Sequence, residues 1–357
     1  MWFFYCAEKT ISLSAGGLEV KYAKEGVTIK DVAQLAGVAP STVSKVMNGS
    51  SEISPDTITR VEKAIKKLNY RPNSIARSLR KNHTRTLGII NNSHSNKNTF
   101  VLQLMVGVEK AAQARGFSVF LCNSASSPAR EKDYLEVLLD KQVDGIIFLD
   151  NVVKERALPS WHLNGVPIVF LNQYVTQPGY HSILPDDYQG GLIATEHLIA
   201  RGHERVAYIN GRLKHEASQS RLQGYKDALN KANIPFESQL VQGKDTWDEE
   251  GGYSSTHTLM TLSKPPSAIF CANDTLAIGA LDALHELRLS VPNDVALIGF
   301  DNSLASAQKR PPLTSVEMPF LEMGKRAAEV LLEPPPTREM IHRLPCQLVQ
   351  RQSSLGP

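Results

Sequence analysis

Cysteine is scarce in this 357-residue chain: Cys6, Cys122, Cys271 and Cys346 stand far apart with no CxxC pair. That spacing excludes a disulfide framework or a thiolate metal site and reads as buried thiols in a reducing compartment. Catalytic signatures are missing too. There is no GxSxG elbow, no GxxxxGK[ST] loop and no HExxH, and the ten histidines show no ligand spacing. An enzyme has nothing here to rest on, and no cofactor or metal is implied. Long apolar runs are also lacking. MWFFYCAEK at the start is too short for the apolar core of a secretory signal and is interrupted by Glu8, and nothing elsewhere approaches a membrane span. A cytoplasmic protein with no membrane partner is expected.

Charge is unremarkable in total and informative in its distribution. The formal net charge is +3, but residues 27–85 carry 11 Lys plus Arg against 4 Asp plus Glu. The first 26 residues balance at 3 against 3, and the remainder holds 25 against 29. A basic segment on an acidic body is the electrostatic footprint of a protein that meets nucleic acid with one end.

Within the basic segment, Ile29, Val32, Ala33 and Ala36 recur at helical spacing, and Thr28 with Asp31 forms a capping-box start. Gly37 supplies a residue tolerant of positive φ, and Pro40 suits a first helical position. A second helix follows, with Val43, Val46 and Met47 inward. Ser41, Lys45 and Asn48 share its outward face, with Thr42 at the edge. Two short helices around a glycine turn, with small polar and cationic side chains outward, suit a helix lying in the major groove. The bland alternative is a surface helix in a small bundle. Ser54 and Pro55 start a third helix whose Ile58, Val61, Ile65 and Leu68 are expected to close the core. The segment from Arg71 to Arg85 is too polar for a core, and its short helical stretch, capped at Asn73, cannot hold itself in water.

TIKDVAQLAGVAPSTVSKVMN, the SPDTITRVEKAIKKLNYRPN after it and ARSLR together resemble the DNA-binding headpiece and hinge of the lactose-repressor (LacI/GalR) family. The resemblance implies that the hinge folds on double-stranded operator DNA, Leu79 wedging between base steps in the minor groove. Arg77 and Arg80 would lie beside it, with Asn73 as the cap. Thr28 and Lys30 at the first helix complete the implied DNA contacts with Ser41, Thr42, Lys45 and Asn48. Ala39 departs from the family's usual serine and removes a side-chain cap. Lys45 is a less selective base reader than arginine, so no operator sequence is implied.

From Thr86 onward, apolar runs alternate with helical stretches: LGIIN (87–91), FSVFLC (117–122), DGIIFL (144–149), PIVFLN (167–172), RVAYIN (205–210), SAIFCAND (267–274) and DVALIGFD (294–301). This argues for parallel sheets covered on both faces, with ligands at the carboxyl ends of the strands. Polar residues follow several of these runs, among them Asn91, Asn92, Asn123 and Asn172.

EHLIARGHERVAYINGR, SRLQGYKDAL, CANDTLAIGALDAL and DVALIGFDN carry the same family resemblance through the body. The implied fold is an all-α helix-turn-helix headpiece with a hinge helix, joined to an α/β periplasmic-binding-protein-like core of two Rossmann-like subdomains. The expected boundaries are an extension over 1–26, a headpiece over 27–72, a hinge and linker over 73–85 and a core over 86–350. Within the core, the first subdomain is expected at about 86–202 and 319–335 and the second at about 203–318 and 336–350. Phe100, Asp187, His215, Arg221, Trp247, Asn273, Asp274 and Asp301 match positions lining the family's effector cleft. Each has a structural alternative: Asp274 and Asp301 as caps, Arg221 in a buried ion pair, Trp247 in the core. Arginine and carboxylates beside a tryptophan favour a sugar or glycoside over a purine, and a phosphorylated partner protein is the other effector considered. The loop 91–100 is longer than is usual in the family.

The resemblance implies a homodimer, since no leucine heptads follow the last strand. The first 26 residues read as a disordered arm or a mis-set start. Together these features predict a bacterial, cytoplasmic repressor, associated with the nucleoid when on DNA, whose hinge responds to effector binding in the cleft. A periplasmic solute-binding protein would explain only the body. A constitutive architectural DNA binder would explain only the headpiece.

Overall fold

A computed structural model describes residues 11–14, 17–20, 27–70, 83–93, 99–158, 163, 165–333 and 340–355. The chain forms two compact units, Met1–Asn82 and His83–Pro357.

In the first unit, β1 (Ile11–Ser14) pairs antiparallel with β2 (Gly17–Val20), Ile11 opposite Val20 and Leu13 opposite Leu18. The expected disordered arm is therefore paired over these residues, where apolar β-formers alternate with polar ones. The headpiece consists of α1 (Ile29–Ala36), α2 (Pro40–Met47) and α3 (Pro55–Lys67). The Thr28 amide and hydroxyl both donate to Asp31 Oδ2, at 2.7 and 2.8 Å, closing the predicted start of α1. Gly37 ends it at φ 64°, ψ 41°, a left-handed cap that a side chain would strain. Ala39 supplies no side-chain cap to α2, whereas Ser54 Oγ accepts from the Thr57 amide to start α3.

Val32, Ala33, Ala36, Val43, Val61 and Ala64 form the headpiece core, with Ile29, Val46, Met47, Ile65 and Leu68 packed on it. Ile58, expected in that core, is half-buried outside it, and the small Ala64 takes the inner position instead.

The second unit carries two six-stranded sheets. One has the order β4 (Ser118–Asn123), β3 (Thr86–Asn91), β5 (Gly145–Leu149), β6 (Ile168–Leu171), β7 (His181–Pro185) and β13 (Ile341–Leu344), all parallel. The other runs β9 (Val241–Gln242), β8 (Val206–Ile209), β10 (Ala268–Cys271), β11 (Ala296–Phe300), β12 (Thr314–Glu317) and β14 (Gln347–Val349). Only the β12–β14 pairing is antiparallel. The apolar runs read from the sequence are these strands, and β3, β5, β6, β8, β10 and β11 are almost wholly buried. That burial is why they lack a polar alternation.

Among the described residues eight helices join the strands: α4 (Thr99–Ala114), α5 (Pro128–Asp140), α6 (Asp187–Ala200), α7 (Glu216–Lys231), α8 (Glu249–Met260), α9 (Asp274–Glu286), α10 (Leu304–Gln308) and α11 (Phe320–Leu332). The chain passes between the sheets after β7, after β12 and after β13.

Two expected subdomain boundaries are corrected. The first crossing falls at Pro185–Asp187 rather than near Gly202, because α6 packs on α7 and the second sheet. The last return to the first sheet extends through Leu344 rather than 335, because β13 pairs with β7. The α6–α7 contact is backbone on backbone. A Cβ on Gly191 would stand 2.3 Å from the Arg221 carbonyl oxygen, and one on Gly224 would stand 2.2 Å from that of Tyr188. This close approach brings the start of α6 against Arg221.

Candidate DNA interface and effector cleft

The outward face of α2 matches the sequence reading. Ser41, Lys45 and Asn48 are exposed, Thr42 is half-buried at the edge, and Thr28 and Lys30 are exposed at the entrance to α1. The sequence did not reveal that Lys45 is engaged: its ammonium lies 2.8 Å from Glu52 Oε2, in the loop after α2. Exposed pairs are worth about 0.2–1 kcal/mol, small enough for a phosphate or a base edge to displace. Glu52→Gln is expected to tighten binding to any duplex by up to a few-fold, measured as fluorescence anisotropy on specific and random DNA. Asn73, Arg77, Leu79 and Arg80 lie outside the described residues.

In the core, the cleft residues assemble around Arg221. Its Nε and Nη2 stand 2.8 and 2.7 Å from Asp187 Oδ1, its Nη1 donates to the Ala272 carbonyl, and its Nη2 is 3.5 Å from Met318 Sδ. The guanidinium carbon sits 3.6 Å from the centre of the Phe300 ring and 5.9 Å from that of Trp247. Arg221 and Asp187 are both 4 % exposed, so the ion-pair alternative weighed from the sequence holds. Burial disfavours the charge on Arg221, but Asp187 and Asp301 more than offset this and hold it protonated.

Asp301 follows β11 at φ 105°, a strained conformation for a residue with a side chain and of a kind that clusters at functional sites. Burial pushes its carboxyl up to about 8, against the pull of Arg221 and with the help of Asp274 and Asp187. A carboxyl whose folded pKa lies above its unfolded value of about 3.9 stabilises the fold at low pH. That contribution is lost as pH rises towards about 8. Asp301→Asn is expected to flatten this part of the stability profile, read from urea midpoints across that range. Near neutrality the protonated acid can donate a hydrogen bond to a ligand.

Trp247 packs flat over Gly211, where a Cβ would meet the ring at 2.3 Å, and its Nε1 donates to His215 Nδ1 at 3.1 Å. That bond leaves the His215 proton on Nε2. Burial, then Arg212, lower the His215 pKa against the opposing pull of Asp245, and Lys154 acts in the same direction as Arg212. Phe100 stacks on Phe320, centroids 4.8 Å apart.

Two expected contacts are held elsewhere. Asn273 caps α9 through Leu276 N at 2.8 Å and donates to the Trp247 carbonyl at 3.3 Å. Asp274 accepts from Ser303 N and Ser315 Oγ, both at 2.6 Å, and is 2 % exposed. Its carboxylate therefore fastens the loop after β11 rather than facing open space.

Sequence reading missed the network at the ends of the first sheet. Asp150 accepts from Asn92 Nδ2 at 2.9 Å and pairs with Lys154 Nζ at 2.8 Å, while Asn172 Nδ2 donates to the Asp150 carbonyl at 3.0 Å. The polar residues after the strands were the only signal of it. Among the described residues no cluster of His, Cys, Asp and Glu could hold a metal, and no helix is long and apolar enough to cross a membrane.

Comparison with known proteins matches both units. Residues 28–73 fit the model of the bacterial regulatory proteins of the lacI family, and residues 195–354 fit that of the periplasmic binding protein-like domain. The HTH-type transcriptional repressor PurR of Actinobacillus pleuropneumoniae serotype 3 is 36 % identical over 306 residues, 86 % of this chain and 90 % of that protein. A lac repressor dimer bound to operator and the anti-inducer ONPF superposes with a TM-score of 0.75 at 28 % identity, covering 93 % of this chain and all of that one. A complex of the transcriptional regulator CelR with cellobiose superposes at 0.61 with 30 % identity, covering 92 % and 99 %. The chain belongs to the lacI family of bacterial regulatory proteins. It is a DNA-binding transcriptional repressor.

Proposed function

We propose that the chain binds a pseudo-palindromic operator as a homodimer and that a small molecule in the cleft of the core sets its affinity. The observation that carries this reading is the buried Asp187–Arg221 pair, with Asp301 raised beside it and Trp247 and His215 along one side. Such a set can orient a polyhydroxylated ligand. Arginine and a neutral acid donate, Asp187 accepts, and the indole offers a flat apolar face. A sugar or glycoside is the class favoured, in keeping with the cellobiose held by one structural neighbour. Asp274 and Asn273 are positioning residues, acting through the loop after β11 and through Trp247.

Ser41, Thr42, Lys45 and Asn48 are assigned to the major groove, Thr28 and Lys30 to the DNA flank of α1, and Leu79 with Asn73, Arg77 and Arg80 to the hinge. Support for the dimer comes from exposed apolar side chains on α4 and the edge strand β4: Leu102 is 64 % exposed and Leu121 53 %, with Val106 one turn from Leu102. Exposed apolar surface favours burial against a partner. The domain limits that follow are a headpiece to residue 72, a hinge to 85 and a core beyond. We read the protein as cytoplasmic and without catalytic activity. A thermal-shift screen against sugars, glycosides, sugar acids and nucleobases tests the effector assignment, since a ligand of the folded state raises the midpoint. A hit confined to nucleobases would overturn the sugar class.

A further inference from the structure

The chain enters the core at His83, where the second compact unit begins. Residues 83–86 lead into β3 and are fastened on both sides as they do so. On the β4 side, the Arg85 carbonyl accepts from the Ser118 amide at 2.8 Å. On the β5 side, the Thr86 carbonyl accepts from the Asp144 amide, also at 2.8 Å. Between these bonds Arg85 stands at φ 52°, a left-handed conformation that residues with a side chain adopt rarely.

The side chain of Asp144 closes the junction. Its Oδ1 accepts from His83 Nδ1 at 2.7 Å, and its Oδ2 accepts from the Thr86 amide at 3.1 Å. Thr84 Oγ1 stands 3.0 Å from the same Oδ2 and 2.9 Å from the Gln142 carbonyl, sharing its one proton between them. The Asp144 side chain is 8 % exposed and that of His83 is 72 % exposed. The two therefore play different parts. A carboxylate this buried needs its donors. The imidazole lies mostly in solvent, so holding it buries little apolar surface. What its bond fixes is the path of the chain as it leaves the core.

We propose that Asp144 is a positioning residue for operator binding: through His83 it pins the end of the hinge to the first subdomain. This rests on the assignment of residues 73–85 as a hinge and linker that folds on operator DNA. A helix that forms only on its operator must be held at its far end, and any freedom left at that end is lost on binding. Each loose residue that has to be ordered subtracts from operator affinity. The bond to Asp144 removes that freedom before DNA arrives. Random duplex is bound through phosphate contacts without a folded hinge and so does not depend on it.

Fluorescence anisotropy of the full chain on an operator selected from a random library, and on random duplex, tests the anchor. His83→Ala is expected to weaken operator binding about threefold to tenfold, the range of a single net hydrogen bond, with random duplex unchanged. Its thermal midpoint should not fall, because the imidazole is exposed. His83→Asn should keep operator affinity, since its amide nitrogen falls close to where Nδ1 stands. Asp144→Ala should lower the midpoint as well as operator affinity, because Thr84 and Thr86 lose an acceptor too. Adding His83→Ala to it should cost nothing further. Leu79→Ala is measured beside them. Unchanged operator affinity in His83→Ala, with Leu79→Ala losing it, would overturn the anchor alone. Equal losses on both duplexes in Leu79→Ala would overturn the hinge assignment and the anchor with it. Additive losses in the double variant, or a lowered midpoint with operator affinity kept in His83→Ala, would make the pair a stabiliser of the sheet and contradict the proposal.

Discussion

Arg221→Ala is expected to destabilise the core by about 3–5 kcal/mol, the range seen when one partner of a buried ion pair is removed. The cost comes from what is left behind. Asp187 loses its cation at 4 % exposure, the Ala272 carbonyl loses a donor, and Phe300 loses the guanidinium stacked on its ring. Asp301 loses the charge that opposes its protonation, so its carboxyl should rise further. Effector response should vanish with the same substitution. The double variant Asp187→Asn, Arg221→Met should lose less stability than the two single losses combined, because no uncompensated charge remains. Chemical denaturation of Arg221→Ala, of the single variants Asp187→Asn and Arg221→Met and of the double variant separates these outcomes. An unchanged midpoint in Arg221→Ala would mean that the pair does not form as described.

Leu79→Ala should lower affinity for a selected operator by roughly tenfold to a hundredfold while leaving random duplex nearly untouched. The asymmetry is the informative part. An apolar wedge acts only where the DNA is kinked in register, whereas binding to random sequence is carried by phosphate contacts that leucine does not make. Arg77→Ala should instead weaken both duplexes and shallow the salt dependence by about one unit of slope. Equal losses on the two duplexes for Leu79→Ala would remove the wedge from the account.

Some of this could be read from the sequence because its signal is local. The Thr28–Asp31 start, the Gly37 turn and the outward register of Ser41, Lys45 and Asn48 depend on neighbours within a few residues, and the structure reproduces them. The buried strands were legible because β3, β5, β6, β8, β10 and β11 are covered on both faces and so read as continuous apolar runs.

What depends on topology was not legible. Nothing in the residues around Gly202 says that α6 packs on the second sheet, since that follows from backbone contact with α7 at Gly191 and Gly224. Asp274 and Asp301 looked alike as acids after strands. One is held by Ser303 and Ser315, which lie 29 and 41 residues away in sequence. The other stands at φ 105° beside Arg221, with its carboxyl raised by burial. The Lys45–Glu52 pair crosses the end of α2, so the helical register that places Lys45 says nothing about Glu52 in the loop beyond it.

The most direct test of the central claim is a reciprocal titration. Operator affinity is measured with and without a saturating ligand from the thermal screen, and ligand affinity with and without saturating operator. Effector gating predicts that the two factors are equal and differ from one, with random duplex unaffected by ligand. If a ligand that fills the cleft leaves operator affinity unchanged, the headpiece and the core are not coupled and the account of a gated repressor fails.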